Sequence, residues 1–336
     1  MGKEYTLRTV FICVLLACAL SFAGRARAEK LEIGGTIDVD LFGGKQKNTD
    51  TSSDLKLDLF ELSIDSELDE HVSAHALVNY EYEGGDEEES YNLVVDEAYL
   101  TLSKLVDQPL TIMAGKWYLP FGVFNNHLTT DPLTQDAYEI NAPAVSFIFA
   151  LEEIEGVDVS VTGYSSREAR FADPNLAEPE NDFGNYMVNA SFAPGEFLKM
   201  SVYFDSEQGV NDRNDSLGAS LSAAYQDSLT FDAEYIKALE RDQGRSKDSA
   251  YSISGAFKPQ PELELVGRFE GYDDGVDGYQ DYDPDSLVGV EYRVSAGINY
   301  ELHEHVTLMS EYRVTEVEDA DVSNVKDWTL RLRLEF

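Results

Sequence analysis

Apolar and polar residues alternate singly through most of this chain. The last nine residues show it most cleanly: Trp328, Leu330, Leu332, Leu334 and Phe336 take every second position, with Thr329, Arg331, Arg333 and Glu335 between them. Side chains alternate faces along a strand, so this segment predicts a strand with one apolar and one polar face. Near the other end, Leu31, Ile33, Ile37, Val39 and Leu41 alternate with Glu32, Thr36, Asp38 and Asp40. Residues 186–192, 198–204 and 288–300 repeat the pattern. Such segments of about ten residues suit a tilted strand crossing a bilayer. No stretch shows a convincing helical period.

The connections supply a second signal. Short ones fall at 69–71, 104–109, 152–156, 193–196, 226–228, 259–262 and 302–305. Long ones fall at 43–54, 83–92, 119–143, 165–182, 207–215, 241–248, 273–286 and 318–325. Seven short turns and eight long loops predict 16 strands with both termini on the short-turn side. That is an all-β transmembrane antiparallel barrel of outer-membrane type, with periplasmic turns and extracellular loops. Residues 144–151 alternate weakly, and losing that strand with a neighbour would leave 14. Leu55, Leu57 and Leu59 share one parity and Phe60, Leu62 and Ile64 the other, which predicts a bulge or a long strand protruding past the membrane. A soluble sandwich also gives each strand an apolar face, but not the loop alternation or 16 strands in one domain.

Residues 1–28 read as a cleaved signal peptide: Lys3 and Arg8 precede an apolar run from Val10 to Leu20, and Ala26-Arg27-Ala28 is a small-x-small cleavage site. Eleven apolar residues are too few for a membrane helix, which needs roughly 20. Leu15-Leu16-Ala17-Cys18 loosely resembles a lipobox, but the apolar run continues past Cys18 to Ala23. The barrel is then residues 29–336. Both cysteines, Cys13 and Cys18, fall in the signal, leaving neither disulfides nor thiolate metal sites.

Charge narrows the partners. Of 25 basic and 64 acidic residues, the signal takes four and one, so the exported chain holds 21 against 63, a net −42. That balance excludes nucleic acid, whose phosphates need a basic surface. Outer-membrane lipid and lipopolysaccharide are the partners a barrel implies. No other apolar stretch could span as a helix, so a membrane form must be a closed barrel.

Candidate chemistry lies on the inward parity. Arg268, Arg293, Arg313, Arg331 and Arg333 all point to the lumen, among Glu264, Glu270, Glu291, Glu311 and Glu335. Two readings stand side by side: cross-strand ion pairs that stiffen the wall, or a basic strip whose field selects ions. Asp38, Asp40, Asp58, Asp65 and Glu67 give that strip acidic neighbours. The acidic loop at 272–285 does not match a calcium-binding helix–loop–helix and reads as a solvated surface. His303-Glu304-His305 lacks the spacing of a zinc protease site. Neither metal, cofactor nor catalytic constellation is expected.

A more specific motif is Ala114-Gly115-Lys116-Trp117-Tyr118-Leu119-Pro120-Phe121-Gly122-Val123-Phe124, followed by Thr130-Asp131-Pro132-Leu133-Thr134. It resembles the segment leading into the third loop of phosphate-selective-type porins, and the Asp-Pro-Leu-Thr run is closer to the LbtU family of siderophore porins. Asp96-Glu97-Ala98-Tyr99-Leu100 is similar to that group's fourth strand. The resemblance covers about 45 residues; its motif positions are Gly115, Lys116, Pro120, Phe121, Gly122, Asp131 and Pro132. It implies a passive channel for small solutes or ferric siderophores, with no plug domain, and admits a homotrimer. The third long loop of 16-stranded porins commonly folds into the lumen; here loop 119–143, carrying His127, Asp131, Asp136 and Glu139, reads either as such a constriction, anchored by Pro120, Phe121 and Phe124, or as an ordinary surface loop. The terminal aromatic Phe336 resembles the signal read by barrel assembly machinery. A general or anion-selective porin, or a closed structural or adhesive barrel, remains as the alternative.

Overall fold

The computed structural model describes residues 30–45, 52–83, 90–104, 109–151, 156–165, 183–209, 211–226, 228–242, 246–275, 287, 289–317 and 324–336. The signal segment 1–28 and most of the acidic loop at 272–285 lie outside the described residues. In chain order the strands are β1 (Lys30–Lys45), β2 (Ser52–Glu67), β3 (Val72–Glu83), β4 (Ser90–Ser103), β5 (Leu110–Tyr118), β6 (Asn141–Ala150), β7 (Val157–Tyr164) and β8 (Asn185–Gly195). They continue as β9 (Leu198–Gln208), β10 (Arg213–Tyr225), β11 (Leu229–Glu240), β12 (Ser249–Gln260), β13 (Leu263–Asp273), β14 (Val290–His303), β15 (Val306–Val317) and β16 (Asn324–Glu335). One short helix, α1 (Leu133–Tyr138), stands between β5 and β6.

All 16 strands pair with their sequence neighbours and β1 closes on β16, giving an antiparallel barrel without free edges. Gly35 and Phe336 complete the seam by exchanging backbone hydrogen bonds of 3.0 and 3.1 Å. The weakly patterned sixth strand is present, so the count is 16 and not 14. The parity flip in β2 is a bulge: Asp38 opposes Leu59 and Val39 opposes Leu57, leaving Asp58 as the extra residue.

The connections alternate less strictly than the sequence implies. β9 and β10 meet through four residues, closed by Gly209 N–H to the Asp212 carbonyl at 2.9 Å. The link between β4 and β5 on the opposite rim is six residues long. Turn polarity survives because the strand count, not loop length, fixes which rim each link occupies.

The two faces differ as the alternation requires. Leu330, Leu332, Leu334 and Phe336 on β16, and Val294, Ile298 and Tyr300 on β14, are exposed on the outside. A continuous apolar exterior of this kind belongs in lipid. The buried residues are inside the barrel, where the β5–β6 connection fills part of the lumen.

Candidate functional site: a loop folded across the lumen

The chain leaves β5 at Tyr118 and re-enters the sheet at Asn141, with the stem held by Leu119 N–H to the Ile140 carbonyl at 2.8 Å. Gly122 turns it inward with φ +95°, and the Phe124 ring occupies the space a Cβ would need. Phe121, Leu133 and Tyr138 are fully buried. The Phe121 ring stands 5.1 Å from Tyr203 of β9, edge to face, and 6.1 Å from Tyr138. Each such buried side chain contributes roughly 1.5–3 kcal/mol, so the inward fold has an apolar anchor.

Polar wall residues hold the rest. Glu234 of β11 accepts the Val123 N–H at 2.8 Å, and Glu270 of β13 accepts Leu133 N–H at 2.7 Å. Glu311 of β15 accepts the backbone N–H and hydroxyl of both Thr129 and Thr130 at 2.9–3.1 Å. Tyr138 OH donates to Asp248 at 2.6 Å; Asn189 of β8 donates to the Pro120 carbonyl at 2.8 Å, and Asn299 of β14 to the His127 carbonyl at 2.8 Å. His127 lies between Asp232, at 3.6 Å, and Glu264, at 3.3 Å. Those two carboxylates raise its pKa to about 9, so the ring is cationic at neutral pH. The loop therefore leans on the inner wall from β8 to β15.

All five predicted arginines are engaged. Arg268 is buried, pairs with Glu270 at 3.0 Å, and donates to Asn126 Oδ1, Thr130 Oγ1 and the Asp131 carbonyl at 3.0–3.1 Å. Arg293 meets Asp136 of the loop at 3.1 Å, and Arg313 meets Asp327 at 3.1 Å. Arg331 grips Asp40 with two bonds of 2.7 and 2.8 Å, reaches Asp38 at 3.2 Å and also pairs with Asp58. Arg333 holds Asp38 through bonds of 2.9 and 2.7 Å. Each of the five guanidiniums is bound to a carboxylate.

One acid placed among the arginines is displaced from the ladder, and another lies at its open end. Glu291 sits at a bulge between Val290 and Tyr292, where the extra residue drops out of the ladder, and it is exposed. Glu335 is at the exposed periplasmic end of β16. Glu311 and Glu270 face inward as expected, yet the loop's own donors occupy them as much as Arg268 does.

The loop's lumen face is acidic. Asp131 and Asp136 are open to the water-filled space but enclosed by barrel wall, and the lost hydration pushes both carboxyls upward. Glu139 is half-buried, accepts a 2.8 Å bond from Gln135, and burial pushes it up to about 7. Asp131 and Glu139 have no ion-pair partner among the described residues.

The motif residues build the loop stem. Gly115 has φ +147°, and the backbone and Cβ of Tyr99 lie where a side chain would go. Lys116 faces outward, its ammonium 3.5 Å from the Val95 carbonyl. The carbonyl of buried Pro132 caps α1, accepting from Gln135 and Asp136 at 2.9 and 3.0 Å. Sequence reasoning missed Asp232, Glu234, Asp248 and Asn299 as loop partners. The signal was present for two of them, since Asp232 and Glu234 share the inward parity between the outward Phe231 and Tyr235.

Comparison with known proteins agrees with this geometry. A UPF0422 protein of Legionella pneumophila strain Lens is 24% identical over 136 residues, 40% of this chain, and the chain spans 26% of that protein's length. OmpF of Salmonella typhi, solved with daunomycin, superposes with a TM-score of 0.66 at 9% identity, covering 91% of this chain and 98% of that one. The anion-selective porin of Comamonas acidovorans gives 0.66 at 11%, covering 91% and 99%. The Gram-negative porin profile matches residues 14–320. The chain belongs to the Gram-negative porin family, and it is an outer-membrane channel, not an enzyme.

Proposed function

We propose that this porin is a passive, cation-preferring diffusion channel for small solutes. The observation that carries the reading is the imbalance across the passage. One side is the loop face with Asp131, Asp136 and Glu139; on the other, the carboxylates of Asp38, Asp40 and Asp58 bind the arginines. Neutralised guanidiniums attract anions weakly, and Asp136 is likewise paired with Arg293, while Asp131 and Glu139 remain available to passing cations. A zero-current potential across planar bilayers under a potassium chloride gradient tests this. Cation preference is the expected sign, and an anion-preferring potential rejects the reading.

Ferric-siderophore uptake is the second reading, supported by the resemblance of residues 114–134 to the siderophore porins. Those residues mainly shape the loop stem, so they favour a shared constriction more than a shared cargo. Growth on a ferric siderophore as sole iron source, with and without the gene, tests it: equal growth removes that cargo.

A further inference from the structure

The loop divides the lumen into two unlike halves. Its stem roofs a cavity of about 500 Å³ against the inner wall of β5 to β9. Strand register makes the wall of that cavity continuous: Ser160 stands opposite Asn189, and Ser191 is opposite both Asp158 and Ser201. Ser146 completes it, hydrogen-bonded to the Thr162 hydroxyl at 2.9 Å. Short side chains recess this wall, whereas long acidic ones on β11, β13 and β15 reach out and hold the loop. The cavity lining carries two charged groups, Asp158 and Lys199, of opposite sign and beside the periplasmic turns. Trp117, Pro120 and Val123 give its upper surface an apolar character.

We propose that this recess is a binding subsite for small uncharged polyhydroxylated solutes of sugar type. Such a molecule has hydroxyls around its edge and C–H groups on its faces. The Ser and Asn side chains can replace water around the edge, and the apolar roof can cover a face, which is the division of labour found in small-molecule sites of this volume. An inorganic ion would lose hydration here and meet no compensating charge near the roof. The inference deepens the channel reading, because it names a solute class held beside the ionic passage.

Maltose is a suitable probe, and two measurements keep its binding separate from conduction. The chain has two tryptophans, Trp117 at the recess and Trp328 on the lipid face. Titration of the purified protein in micelles should change tryptophan emission saturably. The change should persist in Trp328→Phe and vanish in Trp117→Phe. In bilayers, maltose should lower ion current saturably beyond its viscosity effect, and Ser160→Leu with Ser201→Leu should weaken binding at least about tenfold. No saturable emission change, or equal maltose affinity in the filled double variant, overturns the subsite. Saturable emission without any ion current would keep the subsite and reject the channel.

Discussion

Thr130 of the inward loop directs both its backbone N–H and its hydroxyl onto Glu311 of β15, at 3.0 and 2.9 Å. Thr129 does the same with the same carboxylate, at 3.1 and 2.9 Å. The two residues are joined to Glu311 across about 180 positions of sequence, so this one side chain holds the loop at four donors. Glu311→Ala leaves these donors and Arg268 without that acceptor, at an expected cost of about 3 kcal/mol. Single channels of the variant should be noisier and more conductive, and the loop should become open to protease. Unchanged conductance with unchanged protease resistance would show the apolar anchor to be sufficient.

Two loop groups give the pH behaviour. His127 is raised to about 9 in the folded chain, above its ordinary 6.5. A raised histidine contributes stability that is complete below its unfolded pKa and lost as pH rises through the folded one. Urea unfolding in micelles should therefore show a stability loss between about pH 6.5 and 9, reduced in His127→Gln. Glu139 works in the same sense over a lower window: raised to about 7, it binds a proton more readily folded than unfolded, so its ionisation costs stability as pH rises from 4.5 to 7. The same titration adds a negative charge to the passage. Cation preference should weaken as pH falls through 7, and Glu139→Gln should remove that step from the zero-current potential.

The barrel was legible because period two is a local property, readable wherever lipid faces one side and water the other. The bulge at Asp58 was legible for the same reason, as a change of parity between Leu57 and Phe60. Pro120, Phe121 and Phe124 favoured an inward fold as anchors. The partners of the loop were not legible, because Glu311 and Glu270 on inward parity look identical whether an arginine or a loop amide occupies them. Only the tertiary approach of residues 123–138 to β11, β13 and β15 decides that. Glu291 shows the converse failure, since one inserted residue at Val290–Tyr292 removes a correctly counted position from the ladder.

Arg331 and Arg313 make a graded test of the wall. Arg331 binds three carboxylates at the closing seam and its side chain is 9% exposed, whereas Arg313 binds Asp327 alone and is 23% exposed. Removing Arg331 strands Asp40, while Asp38 keeps Arg333 and Asp58 keeps Lys56 at 2.6 Å, and breaking a buried ionic cluster typically costs about 3–5 kcal/mol. Arg313→Ala should cost about 1 kcal/mol or less. Unfolding midpoints of both variants check the order. If the two are equal, Arg333 reaches Asp40 as well as Asp38 and the cluster rearranges without loss.

Phe336 has two separable duties at that seam. Its backbone exchanges hydrogen bonds with Gly35, while its exposed ring belongs to the lipid face. Phe336→Ala keeps the backbone pair and loses the ring; deletion of Phe336 loses both. Refolding of purified protein into lipid vesicles, followed by the shift in gel mobility on heating, reads closure without any cellular factor. There the deletion should close less completely than Phe336→Ala, because two unpaired groups in a membrane cost several kcal/mol. In cells both variants should reach the outer membrane poorly if the ring is the address read during assembly. Normal export of Phe336→Ala would leave the residue a structural role alone.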